Sequence, residues 1–133
     1  MAIAQGIVEF SESTFRIIQS LKTKKGEIKS VAIIAGILGA KQTSALIPLC
    51  HNIEIENIDI NIEPIRKISS LKVTSSIKSR GKTGVEMEAL SAVSVACLAI
   101  YDMCKSVDKN IVIKDIKLVK KRGGKSDFWN LRK

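Results

Sequence analysis

The chain has 133 residues, 45% of them hydrophobic and 26% charged, which gives one globular domain with its own core and excludes a disordered or low-complexity chain. Lys and Arg number 22 against 13 Asp and Glu, a net charge of +9 that favours an anionic partner: nucleic acid, a membrane surface or a phosphorylated metabolite. Aromatics at 4% are too sparse for a surface built on base stacking, and three cysteines without a C-x-x-C pair argue against a disulfide framework and a zinc ribbon.

Residues 3–10 read as a short strand. Ser11 is placed to cap a helix running to about residue 21, with Phe15, Ile18 and Leu21 on one face and Gly26 as the stop after Thr23-Lys24-Lys25. A second helix is predicted over 27–41, and its run Val31-Ala32-Ile33-Ile34-Ala35 is apolar all round, so it should be well buried. Residues 42–51 contain Pro48 and make a structured loop that opens with a helical turn. Over 53–63, Ile53 and Ile55 share one phase while Ile58, Ile60 and Ile62 share the other, which predicts a bulge near Glu56-Asn57. A turn over Glu63-Pro64 and the next few residues should lead into a second, antiparallel strand where Leu71, Val73 and Ile77 alternate with polar residues.

Residues 83–107 form the longest helix. Its middle is apolar on every face, so a sheet must cover one side, and a subunit partner is the economical cover for the other. A last strand over 111–119 precedes a basic tail from Lys120, with 127–133 as its end. The apolar run 89–101 is too short for a bilayer span, the start has no signal-peptide pattern, and reduced thiols fit a cytoplasmic protein. These elements predict a single α+β domain over 1–133, with helices packed on one face of a mainly antiparallel sheet.

Several residues are candidates for chemistry. His51, the only histidine, is either bonded to backbone or an acid/base group or phosphate donor, since its charge changes near neutral pH. Thr83 and Glu86 fit a capping box. Glu88 points about 200° away from Glu86 on a helix and sits at the edge of the most apolar stretch, where a carboxylate must be paired or raised in pKa. Asp102 and Lys105, three apart, read as a surface ion pair or as an acid/base lysine held by a carboxylate. Three basic groups flank glycine: Lys24-Lys25-Gly26, Ser79-Arg80-Gly81-Lys82, and Lys120-Lys121-Arg122-Gly123-Gly124-Lys125-Ser126. Each is either a solvated loop or a phosphate holder, and none is a Walker A loop or a dinucleotide fingerprint.

Ala35-Gly36-Ile37 through Ala40-Lys41, then Thr43 and Leu46-Ile47-Pro48-Leu49-Cys50-His51, resembles one signature of the molybdenum cofactor biosynthesis protein C family, the cyclic pyranopterin monophosphate synthases. Gly81-Lys82-Thr83-Gly84-Val85-Glu86-Met87-Glu88-Ala89-Leu90, with Tyr101-Asp102-Met103-Cys104-Lys105, resembles the other, and Gly123-Gly124-Lys125-Ser126 the closing motif. The resemblance implies a ferredoxin-like subunit, a hexamer built as a trimer of dimers, and sites at subunit interfaces. It also implies conversion of a cyclic guanosine triphosphate-derived substrate to a pterin with release of pyrophosphate. It assigns no cofactor, no metal, no specific nucleic acid and no membrane.

Carried over by position, Asp102, Lys105 and Lys25 become catalytic residues. His51, Glu86, Met87, Glu88, Lys125 and Cys50 become substrate-binding residues. Against the family pattern, Gln42 stands where a basic residue is common, Ala45 where an acidic one is, and Asn52 where proline follows the histidine. The chain is also expected to start beyond the family's N-terminal segment. The alternative is an inactive or non-enzymatic anion-binding module, with an RNA-binding or assembly role; an RNA-binding sheet needs exposed aromatics, and Phe10, Phe15, Tyr101, Phe128 and Trp129 are scattered.

Overall fold

The computed structural model describes residues 1–23, 26–81, 84–123 and 126–132. Lys25, Thr83 and Lys125, all singled out above, lie outside the described residues.

Ala2–Glu9 forms the first strand (β1), with Ala2, Ala4 and Val8 fully buried. Ser11 caps the helix Glu12–Ile18 (α1), its hydroxyl accepting the Thr14 N–H at 3.3 Å. That helix ends three residues earlier than its apolar spacing suggested, because Leu21 takes a left-handed φ of 59°. Leu21 still packs against the core. Where only a break was expected, Lys22–Thr23 (β2) and Gly26–Glu27 (β3) pair as a small antiparallel ladder. Ile28–Lys41 (α2) and the single turn Thr43–Leu46 (α3) follow, close to expectation.

Ile55–Ile65 (β4) and Ser70–Ser79 (β5) form the expected hairpin, and the register shift between Ile55 and Asn57 is the bulge. The expected turn falls in the residues that follow, not at Glu63-Pro64 itself. The strand runs through Pro64, and the chain reverses over Arg66–Ile68 and Ser69, whose φ is 49°. Proline is tolerated there because β4 is an edge strand, where a missing N–H breaks no ladder. Glu86–Cys104 (α4), Val112–Lys121 (β6) and Phe128–Trp129 (β7) complete the chain. The stretch read as a tail thus carries a strand, with Phe128 and Trp129 opposite Lys121 and Lys120.

The main sheet has the order β4-β5-β1-β6-β7, and every neighbouring pair is antiparallel. Without the short ladder and turns, the chain reads β-α-β-β-α-β with β1 and β5 in the centre, the ferredoxin-like arrangement. Both long helices lie on one face: α4 across β1, β5 and β6, and α2 against β4 and α4. The helices approach closely because Gly36 and Gly39 face α4. A Cβ at Gly39 would lie 2.8 Å from Val95 Cγ2 and 3.0 Å from the Ser91 carbonyl oxygen. Val8, Ile28, Leu71, Val73, Ile77, Val93 and Ile100 fill the space between helices and sheet.

Two burial expectations need correction. The second helix is not buried all round: Val31, Ile34 and Leu38 are exposed, because the sheet and α4 cover only its inner side. The long helix also leaves Leu98 exposed. By length and composition α4, with a mean hydropathy of 1.5, could cross a membrane despite the shorter run noted above, but half of that stretch is buried inside this fold.

Candidate active site

The start of α4 gathers an acidic recess. Val85 occupies the cap position without a side-chain bond, and Glu86 is the first helical residue. Glu86 is therefore not the third residue of a capping box opened by Thr83, as its spacing had suggested. Its Oε1 instead accepts a bond from Lys121 Nζ at 3.3 Å. Its Oε2 is buried and has no hydrogen-bond partner among the described residues. Gly84 lies directly beneath this carboxylate, and a Cβ there would strike Glu86 Oε2 and lie 3.0 Å from Lys121 Cε.

Glu88, in the same turn, is 3% exposed. Burial pushes its carboxyl above the usual carboxylate range; the charge of Glu86 adds to this, while a bond to its own amide opposes it. Two carboxylates are tolerated in this first turn because the free N–H groups of a helix start favour negative charge. The loop before β4 brings in Cys50, whose sulfur lies 3.9 Å from Glu88 Oε2 and 3.6 Å from the carbonyl oxygen of His51. Burial and then the Glu88 charge raise the Cys50 thiol, so it stays protonated and suits hydrogen-bond donation rather than nucleophilic attack. Met87 is half-buried beside them, and His51 is exposed at the rim.

The other end of α4 carries Asp102 and Lys105, joined at 2.9 Å between Oδ1 and Nζ with both side chains more than half exposed. The hydrogen bond and charge of Asp102 raise the Lys105 ammonium above its ordinary pKa. An adjoining cavity of about 390 Å³ is lined by Ile17, Ile18, Lys22, Thr23, Met103, Ser106 and Val107. It lies between this helix end and the β2–β3 ladder that precedes and follows position 25. No group of three or more His, Cys, Asp or Glu suited to a metal occurs among the described residues.

The chain therefore brings Cys50, His51, Glu86, Met87 and Glu88 to one end of an unbroken helix and holds Asp102 and Lys105 at the other. Sequence reading missed the partner of Glu86. Lys121 belonged to a basic run, but its position was hidden by a register shift between Ala4↔Leu118 and Ile3↔Lys120. That shift puts Lys121, opposite Ala2, on the helix side of the sheet, where simple alternation from Leu118 would have chosen Lys120.

Fold and site together define a ferredoxin-like α+β protein with ionisable chemistry at both ends of its central helix. The chain belongs to the MoaC family, which it matches over residues 1–124. It is 50% identical over 128 residues to a cyclic pyranopterin monophosphate synthase of Heliobacterium modesticaldum, covering 96% of this chain and 80% of that one. It is 50% identical over 125 residues to the protein of that name from Peptoclostridium acidaminophilum, covering 94% and 78%. For the Rhodospirillum rubrum protein of the same name the identity is 47% over 129 residues, covering 97% and 78%.

Proposed function

We propose that this chain catalyses the reaction for which its relatives are named, in molybdenum cofactor biosynthesis. It takes 3′,8-cyclo-7,8-dihydroguanosine 5′-triphosphate to cyclic pyranopterin monophosphate and releases pyrophosphate. The observation that carries the reading is the pairing of two unlike sites on one helix: buried Glu88 beside Cys50, and the open Asp102–Lys105 pair.

Lys105 acts in proton transfer as the imidazole ring opens and the pterin ring forms, with Asp102 orienting it and Lys25 as its partner. Because Asp102 raises its pKa, Lys105 enters the reaction charged and suits proton donation. Glu86 and Glu88 bind the guanine-derived ring, Glu86 held by Lys121 and Glu88 buried beside Cys50. Cys50 and Met87 line the same subsite. His51 and Lys125 hold phosphates and help pyrophosphate leave.

Each site is shared between subunits of a homo-oligomer, a hexamer built as a trimer of dimers. The straight helix keeps its two polar ends apart, and the exposed Val31, Ile34, Leu38 and Leu98 supply apolar surface for a partner. The direct test is turnover of the cyclic triphosphate by the purified chain, scored for both pyrophosphate and pterin. Both products are expected in equal amounts; a folded chain that yields neither refutes the reading.

A further inference from the structure

We propose that Lys121 is a positioning residue that holds Glu86 in its substrate-binding orientation, a step that rests on the function proposed above. Its ammonium is the cation within hydrogen-bond distance of Glu86, 3.3 Å from Oε1, among the described residues. The Lys121 side chain is only 18% exposed, so the pair is shielded from water and from screening salt more than a surface pair would be. The other carboxylate oxygen is packed over Gly84 and has no partner among the described residues. Among the described residues, one lysine thus sets the direction of this group. The strand supports this: Lys121 ends β6 on the sheet's inner face, pinned opposite Ala2 on one side and Phe128 on the other. The two ladders fix the backbone from which the lysine side chain reaches the helix start.

Without Lys121, Glu86 would lose the one cation that contacts it among the described residues, and its side chain would be free to leave the ring-binding geometry. The consequence falls on substrate binding. Lys121→Met is expected to raise KM about tenfold or more, as loss of a charge-assisted contact does, while kcat changes much less. Lys121→Arg keeps the charge and the reach and should recover most of the loss. A merely structural role would lower the folded fraction and hence kcat, leave KM alone, and show as a lower Tm.

The deciding experiment is a double-mutant cycle with Glu86→Gln. If Lys121 acts through Glu86, then Lys121→Met adds little once Glu86 is already Gln. If the two losses multiply, or if Lys121→Met keeps the parent's KM while Glu86→Gln is impaired, the positioning role is refuted. If Glu86→Gln itself turns over substrate normally, the site assignment beneath it has failed instead. Should Lys121→Met not fold, Lys121→Gln in the same cycle decides between these outcomes.

Discussion

Glu86 and Asp102 belong to one continuous helix, which runs from Glu86 to Cys104 without a break. Sixteen residues apart, they are separated by about 24 Å along the axis at 1.5 Å per residue. A single bicyclic ring cannot touch both ends, so under the function proposed above a complete site takes its second half from another subunit with its helix reversed. Glu86→Ala and Asp102→Ala should therefore each be inactive alone and partly active when mixed. In a two-fold dimer, random exchange of equal amounts makes about half the dimers hybrid, and each hybrid holds one site with both lesions and one with neither. Recovered activity should approach about one quarter of the parent's rate per subunit. Subunits are exchanged under mild denaturation, the hybrid fraction is read by native mass spectrometry, and pyrophosphate release is then assayed. If hybrids form at the expected fraction and the rate stays at the level of the separate variants, each chain builds its own site and the reasoning from helix length is refuted.

Lys105→Ala should abolish turnover with no change in fold, because its bond to Asp102 lies on the surface; near-normal turnover would leave it an ordinary surface lysine. Glu88→Gln should reduce substrate affinity and also change the pH dependence of stability. The folded pKa of Glu88 is raised, so the folded state holds a proton that the unfolded state has lost. The parent should therefore lose stability as pH rises from the ordinary carboxylate range through that raised pKa; urea melts of the Gln variant should lack this component. Gly39→Ala gains helix propensity but forces Ala Cβ against Val95 and the Ser91 carbonyl. Overpacking should win by about 1–2 kcal/mol, lowering Tm by about 4–7 °C in calorimetry; an unchanged or higher Tm would mean the helices separate at no cost.

The long elements were legible because their patterns are one-dimensional. The phase change from Ile55 to Ile58 announced the bulge in β4, and the apolar middle of 83–107 announced a core helix. What alternation cannot show is a second register shift in a partner strand, and this hid Lys121 behind Lys120. Pro64 misled for a related reason: proline ends a central strand but not an edge strand, and edge position is a property of the sheet. Leu21 was assigned to a helix by its apolar spacing, whereas the ladder at Lys22 requires a left-handed residue before it. Among the site residues, the unusual setting of Glu88 was legible from physics, since a carboxylate at the edge of an apolar run must be paired or raised, and it is buried and raised; its role came from the resemblance. Asp102 and Lys105 drew their functional reading from the family resemblance, because one chain shows only an exposed ion pair.

The order of strands also governs how the protein is made. β1 is the first strand in the chain and lies in the middle of the sheet, yet its neighbours β5 and β6 begin at Ser70 and Val112. A ribosome therefore releases the central strand long before either partner exists, at about 5–20 residues per second. Within the main sheet the first pairing available to the growing chain is the local hairpin of β4 and β5; β1 can add to β5 only then, and its other edge stays open until β6 emerges. Closing such distant pairs is slow, on the scale of about milliseconds to seconds. During that interval the segment Ala2–Glu9 is the stretch most exposed to wrong pairing with another nascent copy, so synthesis rate and temperature, more than final stability, should govern the yield of assembled protein.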